Sequence, residues 1–101
     1  MKKNILLKSF FENRGMAMTY EQAKPCYEEI VKSLSENEVV VLDFTGLNII
    51  SSPFLNGTVG LLLKDFSKEE IEKRVIIENL PIGFHDVLDT VVKNAHKFYK
   101  K

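Results

Sequence analysis

Strongly apolar, β-branched runs alternate with stretches of helical periodicity along this chain, and no other feature constrains its fold as much. Val39-Val40-Val41-Leu42-Asp43-Phe44 is almost continuously apolar, as a strand covered on both faces is. Ahead of it, Ala23, Cys26, Tyr27, Ile30, Val31 and Leu34 keep the i, i+3, i+4, i+7 spacing of an amphipathic helix. Thr19 and Gln22 stand at capping-box spacing, which predicts a helix start there and a helix running to about Ser35. Pro25 is discordant. It predicts either a kink or a later start with Pro25 in the first turn, because an interior proline costs about 3 kcal/mol.

Beyond Val39–Phe44 the alternation continues. Thr45-Gly46 closes the strand, and Ser51-Ser52-Pro53 predicts a helix with Ser52 as N-cap and Pro53 at the first helical position. That helix runs to Phe66 with Leu55, Val59, Leu62, Leu63 and Phe66 inward. Gly57 and Gly60, each costing about 1 kcal/mol in a helix interior, predict a close approach by backbone or ligand. Ser67 and Glu70 predict a short helical turn over Lys68–Glu72. Arg74–Asn79 reads as a buried strand through Val75, Ile76 and Ile77. Ile82–Phe98 reads as a last helix with Phe84, Val87, Leu88, Val91, Val92, Ala95 and Phe98 in phase. Near the N-terminus, residues 4–11 read as a first strand, Glu12-Asn13-Arg14-Gly15 as a turn and Met16-Ala17-Met18 as a short edge strand.

This order predicts one α/β domain over residues 1–101. Its sheet is mostly parallel, of four strands within a range of three to five, with 39–44 and 74–79 central and three main helices packed on it. Partner and ligand sites of such sheets lie beyond the carboxyl ends of the strands, here Asp43–Phe54 and Leu80–Gly83.

Fourteen basic residues against fourteen acidic ones exclude a global field that recruits nucleic acid or an acidic membrane. No run approaches the ~18 apolar residues of a membrane span, and the N-terminal apolar run breaks too early for a signal peptide. Cys26 is the only cysteine, so no internal disulfide forms and a cytoplasmic, reducing home is expected. Its place in the apolar stripe predicts an inert thiol. His85 and His96, on one helix at ~16 Å along the axis, cannot share a metal. No nucleophile elbow, phosphate-cradling loop or metal-ligand spacing occurs, and acids and bases do not gather near the serine loop. No enzymatic activity, metal or cofactor is therefore expected.

The stretch Val41-Leu42-Asp43-Phe44-Thr45-Gly46-Leu47-Asn48-Ile49-Ile50-Ser51-Ser52-Pro53-Phe54-Leu55 resembles the signature of STAS-like domains, relatives of anti-sigma factor antagonists. Those domains carry a hydrophobic strand ending Leu-Asp-Phe, a Gly-Val or Gly-Leu, and a serine-rich loop opening a helix. The flanking helix, the Val-Ile-rich strand ending Asn-Leu and the final helix extend the likeness over residues 4–98. The resemblance implies a regulatory module that binds a protein partner, with a histidine-kinase-like ATP-binding regulator as the partner class. In the antagonists such a kinase phosphorylates a hydroxyl at this helix start. Here Ser51 replaces the antagonists' Asp, Pro53 stands where the second hydroxyl falls, and Phe54 replaces the Gly. The resemblance thus assigns partner binding or regulation to Asp43, Thr45, Ser51, Ser52, Phe54 and Asn56.

Two plainer roles stand beside that assignment. Ser52 next to Pro53 is first a helix cap, and an Asp ending a strand commonly accepts hydrogen bonds from the following turn. A second function class also stays open: a small-anion or nucleotide-binding domain using the amides at Ser52–Leu55.

Overall fold

The computed structural model describes residues 1–11 and 15–99. The predicted turn residues Glu12, Asn13 and Arg14 and the terminal Lys100 and Lys101 lie outside the described residues. The alternation of strands and helices holds, but the sheet is smaller than expected. Strands β1 (Lys2–Leu6), β3 (Val39–Asp43) and β5 (Val75–Glu78) form a parallel sheet in the order β1-β3-β5. A separate parallel pair joins β2 (Met16–Ala17) to β4 (Ile49–Ile50), so the anticipated four-stranded sheet is a three-stranded and a two-stranded one. Only β3 is central; β5 is an edge.

The burial pattern gives the reason. Val40, Leu42 and Phe44 enter the main core, whereas Val41 on the opposite face is buried outside that cluster. Its register neighbours Asn4 and Ile76 are exposed. The sheet is thus covered by helices on one face rather than two. An unbroken apolar run in its middle strand reflects lateral neighbours as much as a second layer.

The first strand ends earlier than predicted. Ser9 Oγ donates to Leu6 O at 2.6 Å, and Leu7–Phe10 coil into a 3₁₀ turn that carries Leu7 into the core. Helix α1 (Tyr20–Glu36) begins at the predicted capping box: Thr19 Oγ1 accepts from Gln22 N at 3.1 Å, while Gln22 Oε1 accepts from Thr19 N at 2.9 Å. Pro25 lies inside α1, where its missing N–H removes the intrahelical bond to Glu21 O. The helix nevertheless runs through it, because Ala23, Cys26, Ile30 and Leu34 all bury their side chains.

Helix α2 (Ser52–Leu55) passes directly into a π-helical turn, Asn56–Gly60, and regular helix ends by Leu62, short of the predicted Phe66. The buried Thr58 hydroxyl donates to Phe54 O at 3.1 Å within this widened turn. A Cβ on Gly57 would stand 2.6 Å from the Ala23 Cβ, and one on Gly60 3.2 Å from Val91 Cγ1. The two glycines therefore let α1 and α4 (His85–Phe98) both pack closely on this helix; the close approach is by neighbouring helices. Helix α3 (Lys68–Arg74), capped by Ser67, leads into β5. A 3₁₀ turn, Ile82–Phe84, precedes α4. Phe98, expected inward, is 80% exposed. By that turn of α4 the core has ended, and the half-buried Tyr99 takes the position i+4 from Ala95.

Candidate functional site

The carboxyl ends of the strands carry two pinned loops. At the first, Asp43 Oδ1 accepts from Thr45 N at 2.9 Å, Thr45 Oγ1 at 2.6 Å and Asn79 Nδ2 at 2.9 Å. Asp43 thus serves the turn that follows it and also ties the exits of β3 and β5 together. The Thr45 hydroxyl, then the Asn79 carboxamide and the Thr45 amide, hold the Asp43 carboxyl below its ordinary value of 3.8. Asn79 adopts φ 61°, a left-handed conformation that asparagine tolerates and that follows directly on the end of β5.

At the second loop, the structure moves the cap by one residue. Ser51, not Ser52, is the N-cap of α2: its Oγ accepts from Phe54 N at 3.2 Å and donates to Met18 O at 2.5 Å. Ser51 N also donates to Ala17 O at 2.9 Å, continuing the β2–β4 ladder. The cap shifts because Ser51, as the next residue of that ladder, is held in extended conformation with its hydroxyl over the helix start. Pro53 is consequently the second helical residue, and Ser52, the first, is exposed. Gly15 completes the frame. Its carbonyl accepts from Asn48 N at 2.8 Å, and a Cβ there would fall 2.3 Å from Gly46 O, at φ 81°. That role was visible in the sequence only as the last residue of a turn cluster.

Among the six residues singled out, the structure joins Asp43 to Thr45 and places Ser51, Ser52, Phe54 and Asn56 on one helix start. No hydrogen bond among the described residues connects the two groups directly. Phe54 is fully buried and meets Phe11 edge-on at 5.5 Å between ring centroids; Ser52 and Asn56 face solvent. The amides of this helix start are largely used. Proline 53 has none, Phe54 N is bound by Ser51 Oγ and Leu55 N by Ser51 O.

The sequence reading missed the surface beside these serines. Met16, Met18 and Ile49 are 41%, 45% and 46% exposed, with Met16 and Ile49 partnered across the β2–β4 ladder. Period-two alternation in Met16-Ala17-Met18 and Ile49-Ile50 was the available signal: Ala17 and Ile50 are buried, so their neighbours point out.

Residues 22–81, from the Gln22 of the capping box to Pro81, match the family described as a STAS-like domain of unknown function (DUF4325). The chain belongs to this STAS-like family. The match takes in both pinned loops, α3 and β5, and leaves β1, β2 and all of α4 outside. The family has no known enzymatic activity. No curated protein and no solved structure matches the chain.

Elsewhere, burial pushes the Cys26 thiol up to about 12, against a backbone hydrogen bond that lowers it, which leaves a native thiol unreactive. Among the described residues no group of His, Cys, Asp and Glu is arranged to hold a metal, and no helix is long and apolar enough to cross a membrane.

Proposed function

We propose that this STAS-like domain is a non-catalytic regulatory module that binds a protein partner at the carboxyl end of its sheet. The observation that carries this reading is the continuity of exposed apolar surface with the serine helix start. Met16, Met18 and Ile49 lie around the Ser51 cap, and Ser51 itself is bonded to Met18 O. Clustered exposed apolar side chains rimmed by polar groups are the usual mark of a protein contact. Asp43 and Thr45 hold the approach loop, Phe54 fixes the helix from below, and Ser52 and Asn56 stand at the solvent side. The antagonist-like loop favours a histidine-kinase-like ATP-binding regulator as the partner, in the cytoplasm.

Ser52 is the hydroxyl available to a switch, since Ser51 is occupied as a cap. A phosphate on Ser52 adds nearly two negative charges at the rim of the apolar patch and opposes docking there. The small-anion alternative needs free amides at Ser52–Leu55, and the bonds from Phe54 and Leu55 to Ser51 leave only that of Ser52. That geometry favours the protein partner.

The test is affinity for the regulator that co-purifies with the native protein, measured for Ile49→Asp, Ser52→Asp and Ser52→Ala. Both aspartate variants should weaken binding by about tenfold or more, about 1.4 kcal/mol, with unchanged melting temperature, while Ser52→Ala should bind as wild type does. Wild-type affinity in both aspartate variants defeats the proposal. Thermal stabilisation by phosphate or nucleotides alone would instead support anion binding.

A further inference from the structure

Helix α4 outlasts the core it packs on, and its last turn leaves an aromatic ring at the surface. Phe98 is 80% exposed and meets Tyr99 edge-on at 4.9 Å between ring centroids. Tyr20, the first residue of α1, is 44% exposed and borders the same cleft, which holds about 280 Å³. The π-helical turn makes its floor. The Tyr20 ring lies against Gly57, where a Cβ would stand 3.1 Å from Tyr20 Cδ1. A Cβ on Gly60 would stand 3.4 Å from Asn56 Oδ1 and 3.6 Å from Ala95 Cβ. Asn94, one helical turn before Phe98 on the same face of α4, supplies a second carboxamide. Neither the Asn56 nor the Asn94 carboxamide bonds to another side chain or backbone group among the described residues. None of the described residues in this wall carries a charge, in a chain that is 28% charged. Lys24 and Glu28 line a separate hollow that shares Tyr20.

We infer that this cleft is a binding site for an uncharged purine, as the free base or its nucleoside. Three properties of the wall select that ligand. The rings of Tyr20 and Phe98 offer stacking surface to a flat heteroaromatic system. The two free carboxamides each present an acceptor and two donors, the pattern that pairs bidentately with a purine edge. They come from different elements, the π turn and α4, and a purine has two polar edges where a pyrimidine has one long one. The volume lies near the lower limit for small-molecule sites and suits one fused ring system. The uncharged wall disfavours a phosphorylated form, and the chain's balanced charge disfavours a nucleic acid strand. Interruption of a helix by a π turn is a frequent device for shaping such a site. The inference is independent of the protein-partner surface at Met16, Met18 and Ile49.

The test is titration of the ¹⁵N-labelled protein with adenosine, guanosine, uridine and inorganic phosphate. At least one purine nucleoside should give saturable shifts at the side-chain amides of Asn56 and Asn94 and at the Gly60 backbone, with uridine weaker and phosphate without effect there. Asn94→Ala and Phe98→Ala should each weaken that binding about tenfold or more at unchanged melting temperature, because both side chains lie outside the core; Phe98→Tyr should retain it. The inference is overturned if neither purine nucleoside saturates, if the shifts map away from this cleft, if uridine binds as tightly, or if Asn94→Ala binds as the wild type does.

Discussion

The two ends of the three-stranded sheet are held by different means. At the amino end of the strands, one side chain closes the structure. Arg74 donates through Nη2 to Leu34 O at 2.6 Å and Asn37 O at 3.0 Å, through Nε to Glu38 O at 3.0 Å, and through Nη1 to Glu70 at 2.9 Å. A guanidinium fork thereby satisfies the last carbonyls of α1 and the loop into β3 while anchoring α3. At the carboxyl end, short local bonds do the work: Asp43 with Thr45 and Asn79, Ser51 with Phe54 and Met18. These fix the backbone and leave Met16, Met18, Ile49 and Ser52 turned outward. The contrast separates an end that carries stability from an end whose surface can vary at little cost to the fold.

Removal of Arg74 is the strongest challenge to that contrast. Arg74→Ala leaves three main-chain carbonyls without their charged donor and should cost about 2 to 4 kcal/mol in chemical denaturation. Arg74→Lys, with a point charge and no fork, should recover less than half of that loss. A cost near zero for Arg74→Ala would erase the distinction between the ends. Ser51→Ala comes next. Loss of the cap and of the bond to Met18 should cost about 1 to 2 kcal/mol, read in the same way.

Asp43 is a smaller contributor because its carboxylate faces solvent. Asp43→Asn should cost less than about 1 kcal/mol at neutral pH. The folded-state value is lowered, so this contribution is complete above the ordinary carboxylate range and disappears as pH falls through the folded value. The gap between wild type and Asp43→Asn in urea midpoints should therefore close in acid; a gap that widens contradicts the assigned bonds. Ser52→Ala should be the quietest change, within about 0.5 kcal/mol of wild type. An equal cost for Ser51→Ala and Ser52→Ala would return the cap to Ser52.

The sequence revealed those parts of the fold that rest on local periodicity. The capping box at Thr19, the burial of Cys26 and Ile30, the strand at Val39 and the Ser67 cap all follow from patterns within one or two turns. What it hid depends on contacts between distant segments. The cap at Ser51 is decided by Met18 and Ala17, more than thirty residues away, and adjacent serines look alike without them. The edge position of β5 depends on strand order, which the composition of Val75-Ile76-Ile77 does not encode. The π turn at Asn56–Gly60 arises where α1 crowds Gly57 and α4 crowds Gly60. The candidate site was legible as a loop, from Asp43 to Asn56, but its apolar neighbours Met16 and Met18 come from a different part of the chain.

The two-residue ladder of β2 with β4 has a consequence for how this surface comes into being. Neither strand can persist alone, and closing the loop between them brings together positions separated by α1 and all of β3. The ladder should therefore assemble late in folding, after the core it rests on. Nascent, truncated or partly denatured chains would lack the surface altogether, and any molecule that recognises it would be selecting completed copies over unfinished ones.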